Sequence, residues 1–143
     1  MILSCQQKEN KAEQTAIDPI EEQTEEQHIV SKVDGLYLND GEAWLINEEM
    51  KPFVLNAKEI LDGYNLIDSH QDYVSIALGL KEQNQLLINS CTMQGESHDV
   101  LHEWLVPHLE LTKALEEAEN KELADSLAEQ LKESFASFNI YFK

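Results

Sequence analysis

The sequence predicts an all-α protein, an up-down-up-down four-helix bundle with a short extended or hairpin lead-in. Apolar residues recur at three- and four-residue spacing in four separate stretches, which is the pattern of amphipathic helices. Capping residues, glycine and proline stand between these stretches, and the connections are short enough to make consecutive helices antiparallel neighbours. The chain has 143 residues, 42% of them apolar, so one domain with one core accounts for it.

The folded domain is expected to occupy residues 30–143, and its first part precedes the helices. An Asn-Asp-Gly sequence at 39–41 is typical of a tight turn. Large apolar residues stand on both sides of it: Leu36, Leu38, Trp44 and Ile46. We expect a short extended segment or hairpin here that closes over one end of the bundle.

The first two helices are predicted from the residues at their ends and from their stripes, by which we mean the apolar residues that recur at three- and four-residue spacing. The first should begin near Pro52 and end near Gly63, because proline is tolerated in a first turn and glycine commonly follows a last one. The second should start at Asp68, since Gln71 three residues later gives the pattern of a capping box. Their stripes are Met50, Phe53, Val54, Ala57, Ile60, Leu61 and Tyr64, then Tyr73, Ile76, Ala77, Leu80, Leu87 and Cys91.

The third and fourth helices are predicted in the same way. Ser97 is the expected N-cap of the third helix and Asn120 that of the fourth. Pro107 falls inside the third helix, where it removes one backbone hydrogen bond and should produce a kink. The stripes are Leu101, Trp104, Leu105, His108, Leu111 and Leu115, then Ala124, Leu127, Ala128, Leu131, Phe135, Phe138 and Phe142.

Antiparallel packing decides which distant residues can meet. The start of the first helix, the end of the second and the start of the third lie at one end of the bundle. Met50 is therefore expected beside the segment 91–102. His70 belongs to the opposite end, and His108 lies about 15 Å along the third helix from His98, so neither shares a site with it.

The segment 91–102, CTMQGESHDVLH, holds one thiol, one thioether and two imidazoles. Sulfur and imidazole together suit a thiophilic metal ion such as copper(I) or zinc, and methionine sulfur favours copper. His98 and His102 are four residues apart, which places both on one helical face. We predict a metal site with Cys91, His98 and His102 as ligands. Met93 or Met50 is a weak additional ligand.

Packing alone is the main alternative for these residues. In that interpretation Cys91 is a small buried apolar residue, Met93 fills the end of the bundle, and the histidines lie partly exposed in a first turn. Cys91 is the only cysteine in the predicted domain at residues 30–143, so we expect no disulfide within that domain. Redox use of the thiol is a further possibility.

The charge of the chain narrows the classes of partner. Its formal net charge is −18, from 28 acidic and 10 basic residues, which disfavours nucleic acid and anionic lipid surfaces and favours cations. No apolar run reaches the roughly 18 to 20 residues that span a bilayer, so any membrane link is expected to be covalent. The GxSxG, P-loop, HExxH and dinucleotide-binding patterns do not occur, which disfavours an enzyme.

The first five residues, MILSC, resemble the end of a bacterial lipoprotein signal, in which a short apolar and small-residue run precedes a cysteine that becomes lipidated. A full signal also carries a charged segment and an apolar stretch of about 7 to 15 residues. Either the true start lies upstream, therefore, or Cys5 is incidental. Residues 6–29 are rich in Gln, Glu, Lys, Asn and Thr and are expected to form a disordered acidic tether.

Three segments resemble a family of small bacterial envelope lipoproteins that share a CTMxGxxHxxLH motif. They are LNDGEAW at 38–44, CTMQGESHDVLHEWL at 91–105 and FNIYF at 138–142. The resemblance covers most of the chain after Val33. It implies export, a lipid anchor at Cys5 and a helical bundle, and it implies no particular activity.

Residues 114–135, ALEEAENKELADSLAEQLKESF, are similar to the last helical hairpin of the soluble four-helix b-type cytochromes. Those proteins bind haem between a methionine at the start of the first helix and a histidine near the end of the fourth. Met50 stands in the place of that methionine, whereas Asn139 stands where the histidine would fall. The likeness therefore supports the fold and argues against haem, unless His98 or His102 replaces the missing ligand.

Together these observations predict a bacterial envelope lipoprotein, lipid-anchored and facing the periplasm or the outer surface, whose helical bundle binds copper or zinc. Sequestration, delivery or sensing of the metal ion is the expected role, without catalysis. Two alternatives come from other classes of protein. One is a structural or partner-binding envelope module that binds no metal, and the other is a haem-binding bundle.

Overall fold

The structure is a computed structural model that describes residues 35–66, 68 and 72–143. Its helices are α1, Lys51–Asp62; α2, Tyr73–Ser90; α3, Glu96–Glu116; and α4, Lys121–Tyr141. A single 3₁₀ turn, Glu48–Met50, leads directly into α1. No strand forms in the part of the chain that is described. The predicted all-α class is confirmed.

Several predicted features lie outside the described residues. They are the lipidation site Cys5, the tether at 6–29, the first residues of the predicted domain at 30–34, and His70. Among the helices that are described, none is both long enough and apolar enough to cross a membrane.

Each helix packs against its neighbour in sequence, and α1 also contacts α4, which closes the bundle. The contacts between α1 and α2 run in opposite chain directions. Asn56 of α1 donates to Gln83 of α2, while Ile60, one turn later in α1, lies against Gly79, one turn earlier in α2. The two helices are therefore antiparallel, and the up-down-up-down arrangement is confirmed.

One face of α3 is buried along its whole length, and this fixes the rotation of the helix about its axis. The helix continues through Pro107 from Glu96 to Glu116. Its buried positions are Val100, Leu101, Trp104, Leu105, His108, Thr112 and Leu115. Each large apolar side chain buried in this way contributes about 1.5–3 kcal/mol. The positions on the other side, among them His102 and Val106, are left to solvent.

The predicted tight turn lies at residues 39–42. Asn39 and Glu42 exchange both of their backbone hydrogen bonds, each with a nitrogen–oxygen distance of 2.9 Å. Asp40 and Gly41 have positive φ angles of 50° and 89°. This is the mirror-image turn that joins strands through a two-residue loop, and glycine tolerates its backbone conformation without strain.

The lead-in then runs beside the end of α4 and closes one end of the bundle, as predicted. The Trp44 N–H donates to the Tyr141 carbonyl at 2.7 Å, and the Lys143 N–H donates to the Trp44 carbonyl at 2.8 Å. The indole of Trp44 donates to the Tyr37 carbonyl at 2.7 Å. These bonds give the last residues of the chain the partners that the end of a helix lacks.

The predicted start of α2 is wrong by four residues. The helix begins at Tyr73, after Asp72, and not at Asp68. The Asp72 carboxylate accepts hydrogen bonds from the Ser75 backbone N–H at 3.1 Å and from the Ser75 hydroxyl at 2.7 Å. Both donors belong to Ser75, three residues after Asp72, which is the usual position for the partner of an N-cap. The helix therefore starts after Asp72 and not after Asp68.

The predicted N-cap of α3 is also wrong, because Gly95 holds that position instead of Ser97. Gly95 has φ 70° and ψ −150°, a combination that essentially only glycine adopts. The Ser97 hydroxyl donates to the Gln94 carbonyl, at 3.3 Å, and does not cap an N–H. For α4 the prediction is confirmed, since the Asn120 side chain accepts from the Leu123 N–H at 2.9 Å.

We predict that Gly95→Ala lowers the free energy of unfolding by about 1–3 kcal/mol, because alanine is strained at this φ and ψ. A methyl group here would meet nothing within 4 Å, so the loss reports backbone strain and not a clash. Urea unfolding followed by circular dichroism measures it. The neighbouring exposed residue supplies the control, Gln94→Ala. Equal stability of the two variants would contradict the claim that position 95 requires a backbone conformation that only glycine adopts without strain.

Candidate functional site

The Asn47 side chain joins the start of the helical region to the end of α2. Its amide donates to the Ser90 carbonyl at 2.9 Å, and its oxygen accepts from the Thr92 N–H at 3.1 Å. Ser90 is the last residue of α2, so the first bond satisfies a carbonyl that the helix end leaves free. The start of α1 and the 91–95 connection therefore meet at one end of the bundle, as antiparallel packing predicts.

The three sulfur-bearing residues of the predicted site lie in or against the core. Met50 is fully buried, with 0% of its surface exposed. Cys91 and Met93 are half-buried and pack against the core cluster. Cys91 follows the last turn of α2 with an extended backbone and carries a free thiol. Burial of this kind stabilises the bundle end whether or not a metal ion is bound.

The two histidines converge, as their spacing predicts, and we refer to His98 and His102 as the imidazole pair. Their Nε2 atoms are 3.1 Å apart. The ring centroids are 4.4 Å apart, with the rings edge to face. His102 is exposed and His98 is half-buried. With one Nε2 protonated, the contact is an N–H···N hydrogen bond, whereas two unprotonated nitrogens can bind one cation together.

The distance within the imidazole pair suits a shared metal ion. Two imidazole nitrogens that each lie about 2.0–2.1 Å from one zinc ion, at a tetrahedral angle, are about 3.3 Å apart. The observed separation is 3.1 Å. The pair can therefore supply two adjacent coordination positions.

A third ligand of the predicted type does not join the pair. The described residues contain no group of three or more His, Cys, Asp or Glu side chains placed to hold a metal ion. Cys91 therefore does not form such a group with His98 and His102 in this conformation. Of the five predicted ligands, the structure brings the two imidazoles into direct contact.

Acidic side chains surround the start of α3. Glu96 and Asp99 lie in its first turn, where a carboxylate stabilises the positive end of the helix dipole. The Tyr37 hydroxyl donates to Glu96 Oε1 at 2.8 Å, and this hydrogen bond raises the pKa of Tyr37. The lead-in thus contacts the helix that carries the imidazole pair. The local negative charge favours the approach of a cation.

The residues at the positions of the cytochrome ligands differ in exposure. Met50 is fully buried, whereas Asn139 is exposed. Asn139 lines a groove of about 130 Å³ between α1 and α4. Ligand pockets usually start at about 300 Å³. Haem could enter here only if the two helices separated.

His108 is a buried histidine outside the imidazole pair. Its Nδ1 lies 2.8 Å from the Ser134 hydroxyl, at hydrogen-bond distance. Its ring stacks on Trp104, with centroids 4.6 Å apart, and meets Phe135 edge to face. The other nitrogen, Nε2, has no hydrogen-bond partner among the residues that the structure describes. Burial lowers the pKa of His108 to about 4, so the folded protein holds it neutral.

Comparison of the chain with models of protein families, with curated proteins and with solved structures gave no match. The resemblances to envelope lipoproteins and to b-type cytochromes therefore stay predictions from the sequence.

We predict that His108 makes the fold less stable as the pH falls from 6.5 towards 4. In this range the unfolded chain binds a proton at this histidine and the folded chain does not, so acid favours unfolding. The pKa difference, from the ordinary 6.5 to about 4, corresponds to roughly 3 kcal/mol. The effect is absent above the ordinary value, where both states are neutral.

Urea unfolding across this pH range measures the loss in the parent protein and in His108→Gln. Glutamine keeps a polar group for Ser134 but does not titrate. The carboxylates titrate in both proteins and cancel in the difference. The parent should lose roughly 3 kcal/mol more than the variant. Parallel pH profiles would show that His108 does not have the lowered pKa.

Proposed function

We propose that this chain is an envelope lipoprotein whose helical bundle binds a transition-metal ion at His98 and His102. The observation that carries the proposal is the 3.1 Å separation of the two Nε2 atoms. Copper is favoured, because the affinity of nitrogen ligands for divalent first-row metals is highest for copper, and zinc is the second choice. Cys91, Met93 and Met50 are not required, since burial explains their positions.

The position of the imidazole pair supports a role in exchange and not in permanent storage. His102 is exposed at the surface of α3, so an ion bound to a single copy keeps coordination positions open to solvent. Structural zinc sites, by contrast, have four protein ligands and are closed. An ion held by two imidazoles can be taken up and passed on. Delivery or sensing of the metal fits this arrangement better than sequestration.

The charge of the chain supports a cation as its small partner. The formal net charge is −18, and two of the acidic residues, Glu96 and Asp99, lie in the same helical turns as His98. Such a field raises the local concentration of divalent cations and speeds their association. It also makes uptake depend on salt, because added ions screen the attraction.

We predict that His98→Gln and His102→Gln each lower the affinity for copper(II) at least about tenfold, which corresponds to 1.4 kcal/mol. Each variant removes one of two ligands and keeps a polar side chain of similar reach. Competition against a coloured chelator measures the affinity. The control is Asn89→Ala, which removes one member of an exposed pair of amides, four residues apart on α2. Its affinity should equal that of the parent.

Cys91→Ser distinguishes the imidazole pair from the site predicted by the sequence. An affinity equal to that of the parent supports two imidazoles without sulfur. A tenfold loss would restore Cys91 as a ligand. If neither histidine variant changes copper binding, the proposal fails and the domain is better explained as a structural or partner-binding module.

We also propose that a lipid on Cys5 anchors the chain, because Ile2, Leu3 and Ser4 before it match the end of a lipoprotein signal. Expressed from its own gene, the protein should incorporate a labelled fatty acid. Cys5→Ala should abolish the label and move the protein from the membrane to the soluble fraction. Cys91→Ala is the matched control and should keep the label. Labelling that survives Cys5→Ala would rule the anchor out.

A further inference from the structure

The imidazole pair is half of a tetrahedral coordination shell, and a second copy of this chain can supply the other half. We propose that two copies bind one metal ion through His98 and His102 of each copy, which gives a metal-bridged dimer. The inference rests on the proposed function, because it uses the same two ligands. It adds the identity of the partner and the source of the missing ligands.

The donor count leads to this arrangement. Zinc in a structural site takes four ligands, and the pair supplies two. Within the described part of the chain, no third His, Cys, Asp or Glu completes a group with them. A two-fold axis through the ion brings the same two imidazoles from another copy, so the four nitrogens can close the shell. Two-fold symmetry is the commonest symmetry of soluble dimers.

The surface beside the pair is suited to helix-on-helix contact. Val106 follows His102 by four residues and therefore lies one turn further along the same face of α3. Its side chain is 50% exposed, although it is apolar. When two α3 helices cross at the shared ion, each Val106 lies close to the other copy. Burial of this valine adds apolar contact to the metal bonds.

The charge of the chain makes the metal ion a requirement for the dimer. Each copy carries a formal charge of −18, and Asp99 and Glu103 lie next to the imidazole pair in sequence. Two such surfaces repel each other without a cation between them. Screening shortens the Debye length from about 10 Å at 0.1 M salt to about 3 Å at 1 M. Higher salt should therefore weaken metal binding to a single copy, whereas at saturating metal it should strengthen the association of the two copies.

The test uses the full chain, freed of metal and titrated with zinc, which does not change its oxidation state. Calorimetry gives the number of ions bound per chain, and sedimentation velocity gives the mass. We expect one zinc ion per two chains, a doubled mass at that ratio, and return to a single chain when a chelator is added. One zinc ion per chain without a change of mass would overturn the dimer and leave the proposed function intact. No zinc binding at all would overturn the dimer, and no copper binding in the chelator competition would overturn the proposed function as well.

A charge placed on the predicted contact surface gives a second, independent test. Val106→Glu leaves both imidazoles in place and should weaken the zinc-dependent dimer at least about tenfold, while each chain still binds zinc. The matched control is Leu78→Glu, at an apolar residue of similar exposure, 48%, in the first half of α2. This control should form the dimer as the parent does. Equal dimerisation of the two variants would show that the surface of α3 around Val106 is not part of the contact.

Discussion

Burial of one face of α3 fixes the rotation of that helix, and the candidate site follows from this constraint. Trp104 stacks on His108 and packs against Phe138 of α4, and its indole donates to the Ser134 carbonyl at 2.8 Å. With this face held in the core, the opposite side of the helix must face solvent. The imidazole pair stands at positions between the buried ones and lies at the edge of the solvent-facing side, with His98 half-buried and His102 exposed. The candidate site and the core therefore use different parts of the surface of one helix.

The closed end of the bundle holds the start of α3 in place. Asn47 bonds to the residues on either side of the end of α2, and the lead-in bonds to the last residues of the chain through Trp44. The connection between α2 and α3 is thereby fixed at one side, and Gly95 provides the backbone conformation that starts the next helix. A site built on the first turns of α3 inherits this rigidity. A metal site made by the imidazole pair would need such support, because the two Nε2 atoms must stay at a fixed separation to bind one ion.

The sequence predicted features that depend on local patterns. The four stripes, the Asn120 cap and the turn at 39–42 each use residues close together in the chain, and so does the approach of His98 and His102. The starts of α2 and α3 were not predicted correctly, because in each case two capping candidates lie within a few residues of each other in the sequence. The sulfur ligands and Asn47 depend on packing between separate helices. Asn47 meets a partner 43 positions away, and no local pattern marks it.

The most direct measurement is nitrogen-15 NMR of the imidazole side chains of the full chain during a zinc titration. If metal binds where the rotation of α3 places the imidazole pair, the Nε2 signals of His98 and His102 shift together and saturate at the same zinc concentration. The signals of buried His108 stay unchanged. Signals of the pair that do not move with zinc, or a shift confined to one of the two histidines, would contradict the site.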